Sequence, residues 1–165
     1  MSGAGDPVVG LQGSEAASEV GLSGAGDPVE GLQGSAGTVE VGTQLDPVEI
    51  VSTLTTSVMY AGASGDFNPL HYDQDFAGQV SPTGGIIAHG MYSMGLASRA
   101  LTAFAGGPEN VLEVAVRFTR PWPLGTTSTF GGEVTEVEDG VATVKLWGDN
   151  EDGTRILRGT GRITL

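Results

Sequence analysis

The sequence contains no cysteine, so disulfide frameworks, zinc knuckles and thiolate nucleophiles are all excluded. A chain without cysteine tolerates any redox poise, and the compartment stays open on that ground. Positive charge is scarce: seven Lys and Arg stand against twenty Asp and Glu, a formal net charge of −13. That excludes the broad phosphate-neutralising surface that nucleic-acid binding needs. None of the seven lies in the first 98 residues, which carry eleven acids; the last 67 carry nine acids and all seven bases. No apolar run approaches the roughly 18 residues of a membrane span. No basic region followed by an apolar run opens the chain, so no secretory signal is expected. The expectation is a cytoplasmic protein, one domain of ordinary size with an appendage.

Glycine, by contrast, is abundant: 28 of 165 residues, more than double a usual level of roughly 7%. It concentrates first in an internal repeat. Residues 1–14 read MSGAGDPVVGLQGS and residues 22–35 read LSGAGDPVEGLQGS, identical at twelve of fourteen positions. A solenoid needs about three or more units that each bury an apolar face. Here there are two units, each without an aromatic residue, and ten of the first 37 residues are glycine. Such a segment cannot offset its ordering entropy by burial. Residues 1–37 are therefore expected to form a disordered acidic tail, and 38–165 the folded domain.

From Thr38 the composition changes. Val39, Val41, Leu45, Val48, Ile50 and Val51 suit an extended leading strand. Thr53 can cap a helix over Leu54 to Gly62, and Gly-Asp-Phe-Asn-Pro at 65–69 is a loop by its turn chemistry. Helical signals return briefly at Asp73 to Ala77 and then strongly from Gly90 to Ala105. There Met91, Met94, Ala97, Leu101 and Phe104 recur at spacings of three and four. After that the period becomes two. Leu112, Val114, Val116 and Phe118 alternate with polar or small residues, and Pro121 and Pro123 end the strand. Strands over Ser128–Glu138 and Val141–Gly148 are joined at Asp139-Gly140, a strong hairpin signal. Asp152-Gly153 marks a turn before a last strand at Arg155–Thr164. One long helix followed by an antiparallel meander makes an α+β domain whose sheet wraps the helix.

Both histidines of the chain lie between Tyr60 and Gly90. The run Gly65-Asp66-Phe67-Asn68-Pro69-Leu70-His71 brings a carboxylate and an imidazole within five residues on a Pro-fixed turn. Such a pair suffices for two proton transfers on neighbouring atoms. Taken alone, it also fits a turn-capping Asp and an ordinary surface His. No second cluster of strong ligands accompanies it, which argues against a metal site. The second histidine opens Ala88-His89-Gly90-Met91, where the long helix begins. Free N–H groups of a helix's first turn can hold a developing negative charge, and glycine allows close approach to that backbone.

Together, YAGASGDFNPLHYD followed by IIAHGM strongly resembles the MaoC-like hydratase and dehydratase family. The later Val116-Arg117-Phe118-Thr119-Arg120-Pro121 and Pro123-Leu124-Gly125 resemble the strand and turn that follow the helix there. The resemblance covers Thr38 to Leu165; the duplicated tail lies outside it. It implies a hot-dog fold, an antiparallel sheet curled around the Gly90–Ala105 helix. It also implies a catalytic Asp66–His71 dyad, Asn68 bracing the loop, and Gly90 N–H polarising a thioester carbonyl. His89 and Ser98 would be supporting positions, Ser98 the weaker match. The implied reaction is reversible hydration of a trans-2-enoyl thioester to the (R)-3-hydroxyacyl thioester, in fatty-acid or polyketide-type metabolism. No metal or organic cofactor is implied, because the thioester itself acidifies C2. The implied partners are an acyl-CoA or acyl carrier protein substrate and a second hot-dog subunit, identical or related. Two alternatives remain beside it, a hot-dog acyl-thioester hydrolase and a non-catalytic acyl-binding subunit. Any contact to a carrier phosphate must come from the C-terminal part, where Arg99, Arg117, Arg120 and Lys145 are candidates.

Overall fold

The computed structural model describes residues 38–165; the duplicated tail, and with it the expectation of disorder, lies outside the described residues. In chain order the domain runs β1 (Val48–Val51), α1 (Leu54–Ser64), α2 (Gln74–Val80), α3 (Gly90–Phe104), β2 (Val111–Phe118), β3 (Thr127–Glu138), β4 (Val141–Asn150) and β5 (Arg155–Thr164). The two short helices begin where side chains satisfy their first free N–H groups. Thr53 Oγ1 accepts from Thr56 N–H at 3.1 Å, and Asp73 Oδ1 from Phe76 N–H at 3.0 Å.

The hairpin expected at Asp139-Gly140 forms, with both residues at positive φ (50° and 74°), as a type I′ turn requires. It sets a register in which β3 and β4 pair from Glu138↔Val141 to Ser128↔Asn150. β5 returns antiparallel along β4 and β2 pairs with its far side, while β1 lies against β3. The sheet order is β1-β3-β4-β5-β2. Along β4, Ala142, Val144 and Leu146 are buried toward α3, while Lys145 between them is exposed. The helix seats closely because β5 offers Gly161 beneath it: any Cβ there would collide with Leu101. Two apolar clusters result. One holds Leu101, Val134, Val144, Leu146 and Ile163 under the end of α3; the other holds Ala88, Leu96, Trp122, Phe130 and Leu157 near its start. Each fully buried Leu, Ile or Phe of this kind contributes about 1.5–3 kcal/mol relative to exposure. The second cluster is the floor on which the candidate site rests.

Three local expectations need correction. The leading strand is only β1; upstream there is a single bridge, Gln44 with Glu133. Pro47, next to β1, has no N–H to give a ladder. The buried face of α3 is Ser93, Leu96, Ala97, Ala100 and Leu101, and Met91 is 56% exposed. Three-residue steps fall short of the helix's 3.6 residues per turn, so a stripe counted by threes from Met91 drifts around the helix. In β2, a bulge between Val111 and Glu113 shifts the side-chain parity. Val111 thereby joins Val114 on the core side, and Leu112 is half exposed. Among the described residues no helix is long and apolar enough to cross a membrane.

Candidate active site

The loop after α1 is organised by its own side chains. Gly65 ends the helix in the left-handed region (φ 75°), its N–H on Ala61 O. Asp66 Oδ1 accepts from Asn68 N–H at 3.3 Å, and Asn68 Oδ1 accepts from Leu70 N–H at 3.0 Å. Asn68 thereby caps a single 3₁₀ turn, Pro69–His71. Tyr72 O–H closes the loop by donating to Phe67 O at 2.8 Å. The carboxylate of Asp66 stays exposed, whereas His71 is delivered into the protein with 9% of its surface accessible.

Two backbone carbonyls then set the states of the histidines. His71 Nδ1 lies 2.8 Å from Ile87 O. A carbonyl oxygen only accepts, so Nδ1 carries a hydrogen and Nε2 is the ring nitrogen left for proton exchange. His89 Nε2 lies 3.2 Å from the backbone O of Asp66 and donates to it. This bond ties the dyad loop to the start of α3. His89 is 2% exposed, and its Nδ1 is buried without a partner. Its ring stacks on His71 with centroids 3.8 Å apart and planes at 27°, and Tyr60 packs at 4.9 Å on it. Burial holds the His89 pKa below the usual imidazole range, and the neighbouring His71 acts in the same direction. The bond to Asp66 O and the Asp66 charge oppose this without reversing it. His89 therefore stays neutral and acts as a brace.

Donor atoms of Asp66, His71 and His89 lie within 4.8 Å of one another, a grouping the linear sequence did not disclose. A divalent metal would sit about 2.0–2.1 Å from each imidazole nitrogen and in the plane of each ring. Two rings stacked 3.8 Å apart and only 27° from parallel share no such point. This donor set does not fit a chelated ion.

Helix α3 supplies the third component. Its own bonding starts with Tyr92 and Ser93 N–H on His89 O, at 3.2 and 3.4 Å. Gly90 and Met91 N–H lie ahead of that ladder, at the positive end of the helix dipole. Beside them is a cavity of about 350 Å³ whose walls include His71, Ala88, Gly90, Ser93, Phe118 and Trp122. Asp66 stands outside this wall, linked to it through the two histidines. A Cβ at Gly90 would come within 3.2 Å of the Phe118 ring. The close approach that requires glycine here is thus made by a side chain of β2 as well as being open to a ligand.

Ser98 is not brought to this site. Its hydroxyl donates to Met94 O at 2.9 Å, and it lines a separate recess with Arg99 and Thr102. Eight residues beyond Gly90, it sits about 12 Å further along the helix. The serine that does line the cavity is Ser93, 4% exposed, which the sequence reading missed. The available signal was its position three residues after Gly90, on the same helical face. Of the cation candidates only Arg99 is set apart, in the recess beside Ser98. Arg117 and Arg120 line a groove with Arg155 and Arg158, and Lys145 lies on the outer sheet face beside Arg117 and Arg158.

The family model of the MaoC-like domain matches residues 37–153. The beta subunit of 3-oxo-4,17-pregnadiene-20-carboxyl-CoA hydratase from Mycobacterium tuberculosis is 36% identical over 111 residues, 67% of this chain and 80% of that relative. An (R)-hydratase from A. caviae involved in PHA biosynthesis superposes with a TM-score of 0.72 at 27% identity, over 79% of this chain and 99% of its own. A chain of the ChsH1-ChsH2 complex from M. tuberculosis superposes with a TM-score of 0.68 at 32% identity, over 76% and 98% respectively.

Proposed function

The chain belongs to the MaoC-like family, and from that premise we propose that it hydrates trans-2-enoyl thioesters to (R)-3-hydroxyacyl thioesters and catalyses the reverse dehydration. The observation that carries this reading is the hydrogen bond between His71 Nδ1 and Ile87 O. With Nδ1–H so engaged, Nε2 is left for proton exchange on a side chain lining a cavity that also contains the free start of α3. In that cavity the thioester carbonyl lies against Gly90 N–H, where charge delocalised from C2 is stabilised. Water adds to C3 and a proton is delivered to C2. Asp66 and His71 share these transfers, one removing a proton from water and the other supplying one to C2. The proton balance closes, because water provides both the hydroxyl and the net hydrogen. His89 holds the two members together through its bond to Asp66 O and its stack on His71. The neutral state of His89 keeps a positive charge away from His71.

A second reading concerns assembly. Similarity to a subunit named as beta and to a chain of a two-component complex favours a related hot-dog partner over an identical one. The substrate is carried on CoA or on acyl carrier protein, in the cytoplasm. The test is incubation of the purified chain with crotonyl-CoA, with loss of the conjugated enoyl absorbance and chiral identification of the product. Formation of (R)-3-hydroxybutyryl-CoA supports the proposal. Release of free CoA identifies a thioester hydrolase instead. Turnover that appears only after a related hot-dog subunit is added supports the heterodimer.

A further inference from the structure

The chain is strongly acidic, yet four of its seven cations converge on one groove. Arg117 from β2, Arg120 from the loop after it, and Arg155 and Arg158 from β5 line a depression of about 550 Å³. Arg117 and Arg158 are directly opposite each other in the β2–β5 ladder. Like charges facing across a ladder destabilise it. Neutralising acids are nearly absent from the groove. Among the described residues the ion pairs are Arg155 with Asp149 and Arg162 with Glu113. Arg155 is further engaged above the Trp147 ring, at 5.7 Å. Arg117, Arg120 and Arg158 are exposed and take part in neither pair.

The groove adjoins the candidate active site across a shared wall, with Arg117 and Arg158 on the sheet face away from α3. Phe118, Thr119 and Arg120 line both it and the cavity that holds His71 and Gly90. A carrier whose thioester carbonyl sits at Gly90 has to cross that wall at Arg120 to reach Arg117 and Arg158. Guanidinium forks match phosphate oxygens in pairs and are less costly to desolvate than ammonium groups.

We propose that Arg117, Arg120 and Arg158 form a binding site for the phosphates of a coenzyme A carrier, and so select CoA thioesters over carriers without phosphate. This rests on the hydratase reading for the role of the site, but the site itself can be tested separately. A CoA molecule brings a diphosphate and a 3′-phosphate, enough charge to occupy three guanidiniums, whereas a carrier-protein arm brings one phosphate. The anion also offsets the repulsion between Arg117 and Arg158.

Two measurements on the full chain test the assignment. The first is calorimetric binding of adenosine 3′,5′-bisphosphate, which has the 3′-phosphate and one of the two 5′-phosphates of CoA but no acyl group. The expected result is salt-sensitive binding that weakens by about tenfold or more in Arg117→Gln/Arg158→Gln, as loss of a charge-assisted contact implies. That variant should melt no lower than the parent, since a repulsive pair is gone. No binding by the parent, or equal binding by the variant, overturns the proposal. The second compares KM for crotonyl-CoA and for crotonyl-pantetheine, which lacks every phosphate. The parent should favour the CoA thioester, and the double substitution should collapse that preference through the CoA KM. A preference that survives the substitution, or a loss confined to a crotonyl carrier protein, overturns it. Absence of turnover on every thioester removes the hydratase reading alone, and the bisphosphate measurement still decides this one.

Discussion

The two sides of the cavity are built from opposite material. The side from Tyr60 to Ser93 brings a carboxylate, two imidazoles and a helix start, and it lies in a stretch of 98 residues with no Lys or Arg. The side from Phe118 to Trp122 brings aromatic walls and Arg120, and beyond it lies the groove of Arg117, Arg155 and Arg158. The difference has a chemical reason. A guanidinium against Asp66 would hold it ionised and compete with His71 for it. Burial and a backbone carbonyl act on the basicity of His89 without any fixed charge of the opposite sign beside it but Asp66. Anion-binding groups need fixed charge. Segregating the two along the chain sets His71 on one wall of the cavity and Arg120 on the other.

Removing either member of the dyad should be the hardest blow to the first side. Asp66→Asn and His71→Ala are each expected to slow hydration by about 10² or more, with the far-UV spectrum and melting cooperativity retained. Unchanged turnover in either one takes the dyad out of the mechanism.

The meeting point of the sides is Gly90 under Phe118. Gly90→Val should lower kcat/KM by about 10²–10³, the usual effect of losing an oxyanion contact. Because the new side chain would press on the Phe118 ring, the comparison needs Gly90→Val/Phe118→Ala as well. Full recovery in the double variant would make the defect steric and remove the oxyanion role from Gly90 N–H.

His89 sharpens the contrast between a brace and a proton carrier. With its pKa lowered in the folded state, the unfolded chain binds more protons in the window below the ordinary imidazole value, about 6.5. Stability is thus fully present above that pH and falls as the pH drops through it toward the folded pKa. His89→Phe keeps the stack but gives up the bond to Asp66 O. It should cost about 1 kcal/mol at neutral pH and flatten this acid-side decline in urea titrations. An unaltered pH slope would show that His89 is not its source.

The smallest effect is expected from the tail. A chain beginning at Thr38 should fold and retain most of its turnover, because the Gly-rich repeat contains no aromatic anchor. Loss of folding on that truncation would overturn the division at residue 38.

What was legible in the sequence was local. Capping by Thr53 and Asp73, the Asp139-Gly140 hairpin, the long helix and the Asp66-to-His71 loop depend on residues within a few positions of one another, where propensity and hydrogen bonding act directly. The motif pairing GDFNPLH with AHG also disclosed the family, since two short segments of unusual composition define it. The rest depended on which residues meet across the fold. The bulge that turned Leu112 outward exists only in the pairing of β2 with β5. His89 became a stacked partner of His71 because Ile87 O and Asp66 O fix the two rings from separate segments, eighteen residues apart in the chain. Arg117 and Arg158 face each other through a strand register that forty residues of intervening chain do not encode locally. Composition and spacing set which groups were available to this protein; packing of the sheet on α3 decided which of them share a cavity, because only close packing fixes side-chain positions to within a hydrogen bond.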